Sequence, residues 1–328
     1  MRSLRVPDPS APLRLDVFLT RALQACSRRL ARQMIAAGAV RINGRHARKG
    51  VSVVGGDSVD VDDSWLAPLV LQPNPQLQVP ILYEDPAVMA VDKPAGLPSH
   101  ALRGDEAATI ANFLLACHPE IAAVGRGPLE PGIVHRLDVE TSGVLLVART
   151  PTAYDALRRQ FSEHRVRKEY RAVVHGDVTR GGEIRTPIAA TRNRARVRVC
   201  RTMEPGGRTA LTRVQPLERF GAFTLLAIEI STGVRHQIRV HLASIGHPVV
   251  GDRHYGPADA RSDAPRHLLH AYRLGFTHPG SGQYTEVSSP LPPDFSGYLD
   301  RLRSESRTPS IPRTSGAPRR KLGRRTVQ

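Results

Sequence analysis

Gly132-Ile133-Val134-His135-Arg136-Leu137-Asp138-Val139-Glu140-Thr141-Ser142-Gly143-Val144-Leu145-Leu146-Val147-Ala148 is the stretch on which the reading of this chain turns. The run Gly143 to Ala148 is apolar on both faces and of strand length, so it reads as a buried strand. Ahead of it, Gly132 to Val134 reads as a second short strand. Between the two stands a charged turn. A carboxylate in a strand-end turn is most often structural, because Asp favours turns. Here His135, Arg136, Asp138 and Glu140 are crowded between two apolar strands. That crowding makes Asp138 a candidate for chemistry.

Outward from this stretch, strands and helices alternate irregularly. Ile81–Glu84 and Val88–Val91 read as a hairpin. Thr109 is a candidate N-cap for an amphipathic helix to Cys117, and Pro151 starts a helix through Ala153–Glu163. Tyr170–Val174, Thr209–Val214 and Phe223–Ile230 read as strands. Arg235–Ser244 reads as a helix that sets Ile238, Leu242 and Ile245 on one face and Arg235 and Arg239 on another. Strands with dispersed helices predict an α+β domain with a mainly antiparallel mixed sheet.

Two more charged segments stand out. Arg167-Lys168-Glu169-Tyr170-Arg171 opens an apolar strand, where Tyr170 alone would be a core or edge aromatic. Thr232-Gly233-Val234-Arg235-His236-Gln237-Ile238-Arg239-Val240-His241 carries paired arginines that could hold a carboxylate or a phosphate.

The net charge of +17 needs a cause. Only four of the 47 basic residues are Lys, a bias that genome composition can produce, but an unbalanced charge points to a polyanion. Residues 14–50 hold nine basic residues and one acid, and residues 301–328 hold the same, leaving the middle near neutral. The tail 304–328 is rich in Pro, Ser, Thr and Arg and is expected to be disordered.

The N-terminal segment is patterned. Leu15, Phe18, Leu19 and Leu23 recur at helical spacing, and Leu30, Met34 and Ile35 mark a second helix ending at Gly38. Ala39–Ile42 reads as a strand into an Asn43-Gly44 turn, and Ser58–Val61 closes a small sheet. Residues 64–80 hold four prolines and no helical period, and read as an extended linker.

These motifs, in this order, resemble the RluA-type pseudouridine synthases: HRLD followed by TSG, the Lys168-Glu169-Tyr170 segment, and the His236–His241 motif followed by GHPVVGDRHYG. Leu82–Asp85 and Asp92–Leu97 fit as well. The order helix–helix–strand, with Ser27-Arg28-Arg29 and Asn43-Gly44, resembles the S4 RNA-binding module. The resemblance covers about residues 14 to 300, with Val234 before Arg235 as a departure from the usual spacing.

The resemblance implies an S4-like domain over 1–63, a linker over 64–80, a catalytic domain over 81–303 and a basic tail over 304–328. It implies catalytic Asp138, Tyr170 and Arg239, with Arg239 paired to Asp138 and Tyr170 stacked on the target base. Asp138 would attack C1′ or abstract a sugar proton. Arg136 would fill the gap left by a flipped uridine. Arg136, His135, Arg235 and Gln237 form the substrate-binding set. Arg28, Arg29, Arg32, Arg41, Asn43, Arg45 and Lys49 form the RNA-binding face.

The resemblance implies a reaction that needs no cofactor, and neither GxGxxG opening a helix nor a P-loop occurs. There is no HExxH, and His236 and His241 are five apart, so no metal is expected. No GxSxG supports a hydrolase. Cys26, Cys117 and Cys200 form no CxxC, and MRSLRVPDPS has no signal-peptide core. No apolar run approaches the ~18 residues of a membrane span, the cysteine usage fits a reducing, cytoplasmic compartment, and a monomer is expected. The partner expected from the resemblance is RNA: large-subunit ribosomal RNA first, transfer RNA as an alternative. The competing class is a non-catalytic S4-bearing ribosome-assembly factor.

Overall fold

The computed structural model describes residues 1–307, apart from 9–10, 24–25, 67–69, 192–195 and 258–263. The chain divides into two compact units, Met1–Val70 and Leu71–Gln328. No helix among the described residues is long and apolar enough to cross a membrane.

In the first unit, α1 (Leu15–Ala22) and α2 (Arg28–Ala36) pack on a small sheet. Ser27 caps α2 by accepting the Leu30 amide, which satisfies one of the orphan donors of the first turn. The strands are β1 (Arg2–Arg5), β3 (Val40–Ile42), β4 (Arg45–His46) and β6 (Ser58–Val61), and β2 (Leu13–Arg14) pairs separately with β5 (Ser52–Val53). Asn43 and Gly44 both have positive φ, as a two-residue hairpin turn requires. Leu15, Leu19, Met34, Val40 and Val59 form the dry core, and Trp65 packs on its edge.

The second unit is built on a nine-stranded sheet. Its strands are β7 (Ile81–Glu84), β8 (Val88–Lys93), β9 (Ser142–Ala148), β10 (Arg167–His175), β11 (Gly182–Ile184), β14 (Thr212–Arg219), β15 (Phe223–Ile230), β16 (Leu269–Thr277) and β17 (Tyr284–Ser288). A separate hairpin joins β12 (Ile188–Ala190) and β13 (Val197–Val199). The order is β11-β14-β15-β10-β16-β9-β8-β7, with β17 also on β16. Among the described pairs only β16 with β9 is parallel, so the sheet is mixed and mainly antiparallel.

Helices α3 (Ile110–Cys117) and α4 (Pro151–Ser162) cover the β8–β9 region, and α5 (Gln237–Ser244) covers β10, β14 and β15. Helix α6 (Pro293–Arg307) buries Phe295, Leu299 and Leu302 against Val173 and Leu225. Thr109 and Asn112 form a reciprocal cap at the start of α3. Gly143 has φ 112, and a Cβ there would lie 2.2 Å from the Ala271 carbonyl oxygen. Only glycine lets the two backbones cross where the parallel pair begins.

Several expectations are corrected. Helix α5 starts at Gln237, because His236 takes the left-handed conformation (φ 55) and breaks the helical run; Arg235 therefore shares no helix face with Arg239. Gly132–Val134 forms no strand: Gly132 has φ 67, and Ile133 makes a single bridge to Val147. The strand expected over 209–214 starts at Thr212 and runs through Pro216, where the register shifts. Within the stretch read as a linker, Asp63–Leu66 is a 3₁₀ turn, and Leu71 and Val79 are buried in the second unit. Of the expected tail, 304–307 continue α6, and 308–328 lie outside the described residues.

Candidate active site

Asp138 sits on the loop that feeds β9, beside the parallel junction of β9 with β16. Buried polar side chains fix that loop one residue after another. The Ser99 hydroxyl lies 3.2 Å from both the amide and the carbonyl of Leu137. Lys93, fully buried, donates to the carbonyls of Pro94, Leu97 and Val139 at 2.8, 2.7 and 2.9 Å. Three carbonyls match the three donors of an ammonium. Burial, and then the nearby Arg266, still pull Lys93 down to about 7.

Arg266 donates from Nη1 to the Glu140 carbonyl at 3.0 Å and grips Asp294 of α6 through Nε and Nη2. His267 meets the Thr141 hydroxyl at 2.9 Å, and His270 meets that of Ser142 at 3.0 Å. Both imidazoles are held neutral, chiefly by burial.

The Asp138 carboxylate faces a pocket of about 770 Å³. Arg239 donates from Nη1 to its Oδ2 at 2.8 Å. The same guanidinium is held by Asp252, Nε to Oδ2 at 2.7 Å and Nη2 to Oδ1 at 2.8 Å. Asp252 also accepts the amides of His254 and Tyr255. Burial alone would draw Arg239 down, but Asp252 and then Asp138 outweigh it and raise the guanidinium above its ordinary range. Burial likewise opposes ionisation of Asp252, and Arg239 overcomes it. Arg239 is therefore a permanent cation shared by two carboxylates, and it fixes the direction of Asp138.

Tyr170 of β10 lies in the pocket wall and is buried among Leu137, Ile228 and Ile238. Burial, then Asp138, pushes its hydroxyl up, so the ring is a neutral phenol. Arg136 is exposed on the pocket rim. Its Nη1 stands 3.2 Å from Nε2 of His100, whose Nδ1 meets the Ala101 carbonyl at 2.9 Å. A carbonyl only accepts, so Nδ1 carries the proton and Nε2 receives Arg136.

The pocket thus gathers Asp138, Tyr170, Arg239, Arg136, Arg235 and Gln237 from the expected set, and His135 is absent from its lining. His135 and Gln237 make their hydrogen bonds within the protein. His135 accepts the Leu146 amide at 2.9 Å and stacks on Phe161 at 4.7 Å, and burial draws it down to about 3; it braces β9. Gln237 donates to Leu211 and Thr212 and accepts from Thr232 and Val234, which uses both ends of its amide within the protein. It shapes the 232–236 loop.

In the first unit Arg29, Arg41, Arg45 and Lys49 are exposed. Arg14, Arg28 and Arg32 each place Nε on buried Asp16, at 3.0, 3.2 and 2.9 Å, while half of each side chain stays exposed. Asn43 instead braces its turn, donating to Asp57 and accepting the Ser58 amide.

Sequence reasoning missed Asp252, Lys93, Arg266, His267, His100 and His236 as parts of the site. The signal for Asp252 lay in the Gly251-Asp252 turn: a buried guanidinium with five donors needs more than one carboxylate.

The mixed, mainly antiparallel sheet that carries this pocket agrees with the comparisons to known proteins. The family model described as RNA pseudouridylate synthase matches residues 87–244, and the S4 domain model matches residues 13–59. The chain belongs to the RNA pseudouridine synthase family. It is 38% identical over 318 residues to the ribosomal large subunit pseudouridine synthase D of Neisseria meningitidis serogroup A, covering 92% of this chain and 82% of that one. It is 37% identical to the protein of the same name from Xanthomonas campestris, covering 93% and 94%. The solved structure of human RNA pseudouridylate synthase domain containing 1 superposes with a TM-score of 0.54 at 26% identity, over 71% of this chain and 98% of that one.

Proposed function

We propose that this chain isomerises specific uridines of large-subunit ribosomal RNA to pseudouridine, acting as a cytoplasmic monomer. The observation that carries the reading is Asp138, held by Arg239 at 2.8 Å in the lining of the pocket. The named relatives support the ribosomal substrate. We assign residues 1–63 to RNA binding and 81–303 to catalysis.

A uridine inside RNA structure must leave its stack to reach a carboxylate set back in a pocket. Arg136, exposed on the rim, suits the vacated space. The Tyr170 ring suits the face of the flipped base, because a phenol that stays neutral adds no charge against an anionic ring. Asp138 then acts at the ribose, by attack on C1′ or by abstraction of a sugar proton. Glycosidases lose their leaving group to water and use two carboxylates. Here the uracil is kept, turned and rejoined through C5, so one oriented carboxylate suffices. Arg28, Arg29, Arg32, Arg41, Arg45 and Lys49 supply phosphate contacts.

Tritium release from C5-labelled uridine tests the reading. Wild-type protein is expected to release tritium from large-subunit ribosomal RNA taken from a strain lacking the gene. Asp138→Asn is expected to bind that RNA and release none. Equal release by the two proteins removes Asp138 from the chemistry. Release from transfer RNA alone moves the substrate there.

A further inference from the structure

We propose that His236 is a further catalytic residue, which donates a hydrogen bond from Nε2 to a carbonyl oxygen of the uracil ring as the glycosidic bond breaks. The inference rests on the reaction proposed above and names the group that receives the departing base.

Three observations meet at this residue. First, its place: His236 lines the same pocket as Asp138, with Nε2 4.0 Å from Asp138 Oδ1. Oδ2 is the oxygen bound by Arg239, so Nε2 stands on the side of the carboxylate left for substrate.

Second, its tautomer. Nδ1 lies 3.0 Å from the Tyr255 hydroxyl, and that hydroxyl already accepts the Val197 amide at 3.1 Å. If the Tyr255 hydroxyl gives its own proton to Nδ1, each of these groups is used once as donor or acceptor. The imidazole proton then sits on Nε2, which is also where the neighbouring carboxylate favours it. Burial lowers the affinity of this imidazole for a second proton, so it stays neutral.

Third, its backbone. His236 has φ 55 and ψ 18 immediately before α5, a left-handed conformation that non-glycine residues seldom adopt. This conformation ends the helical run and turns the ring toward the pocket. Residues held in such regions cluster at functional sites. Tyr255 steadies the ring, and Tyr255 is itself set by Asp252 through its amide. The two donors beside Asp138, from Arg239 and His236, thus hang from one turn.

The electron count follows from the bond broken. The N1–C1′ pair leaves with the uracil, whose charge spreads over N1 and its two carbonyl oxygens. His236 stabilises that charge without giving up its proton. When C5 bonds to C1′, the C5 proton goes to solvent and N1 takes one from solvent, so the net change is isomerisation. A neutral donor aimed where charge develops acts more strongly on the transition state than on the ground state.

The test compares His236→Asn and His236→Gln in the full chain. Asn tolerates the left-handed backbone but ends short of the Nε2 position; Gln reaches it with an amide donor. In single-turnover tritium release at saturating enzyme, His236→Asn is expected to lose about 100-fold in rate, the scale of one lost transition-state donor. RNA affinity and the thermal midpoint should hold, and His236→Gln should recover part of the rate. An undiminished rate in His236→Asn overturns this inference alone. Rate, affinity and midpoint falling together in both variants overturn it in favour of a structural role. No release by the wild-type protein overturns both readings at once.

Discussion

Asp252 grips Arg239 through two hydrogen bonds of 2.7 and 2.8 Å, and Arg239 spends its remaining arm on Asp138. The side chain of Asp252 is wholly buried and that of Arg239 nearly so, so neither has water as an alternative partner. Asp252→Asn keeps the size but removes the charge and turns an amide against a guanidinium edge. Removing one partner of a buried pair costs about 3–5 kcal/mol. The expected outcome is a lower thermal midpoint together with a loss of about 100-fold in single-turnover rate, because a displaced Arg239 misaims Asp138. A variant with wild-type midpoint and rate would show that Asp252 merely fills space.

Lys93 makes a parallel case from below the loop. Its Nζ ties Val139, one residue past Asp138, to Pro94 and Leu97. Lys93→Met keeps the length and leaves three carbonyls short of a donor, each worth about 1–3 kcal/mol when buried and unsatisfied. Both stability and tritium release should fall, with RNA affinity kept, since the face assigned to RNA lies on other residues. Calorimetry and a filter-binding titration on one preparation check the split.

How far the sequence could be read follows from the range of each interaction. Capped helices and alternating strands are local, so α3, α4 and β15 appear where caps, prolines and periodicity put them. The Asp138–Arg239 pair spans 101 positions in the chain, and only motif resemblance pointed to it. Lys93, Arg266 and His267 act by bonding backbone or hydroxyl groups of the 138–142 loop, and no periodicity records such contacts. Arg235 shows the opposite failure: a helical spacing that a single left-handed residue interrupts.

Asp16 gives a pH prediction for the first unit. Arg14 first, then Arg32 and Arg28, hold its carboxyl well below the ordinary 3.8, against the opposing effect of burial. A depressed carboxyl contributes stability that is present above the unfolded pKa and is lost as pH falls through the folded one. The first unit should therefore loosen as pH drops below about 4. Trp65 is the one tryptophan of the chain and packs on that unit's core, so its fluorescence reports the transition. Asp16→Asn should be less stable at neutral pH by about 2 kcal/mol, the value of hydrogen bonds to a charged group, and should respond less to acid. An acid response identical to wild type would remove Asp16 from the account.

The charge of the C-terminal segment bears on RNA affinity through counterions. Helix α6 runs to Arg307, with Leu302 buried and Arg303 paired to Glu218, so a clean deletion starts at Thr308. Residues 308–328 carry six basic side chains and no acid. Each phosphate they neutralise releases condensed counterions and steepens the fall of log affinity with log salt by about 0.7–0.9. Deleting 308–328 should weaken RNA binding at low salt and flatten that slope, while the single-turnover rate of bound RNA stays the same, because the residues assigned to the chemistry, Asp138, Tyr170 and Arg239, lie elsewhere in the chain. Titrations at four salt concentrations separate the outcomes. Parallel lines displaced in affinity would mean that the segment acts through something other than charge, and superimposed lines would show that it does not touch the RNA.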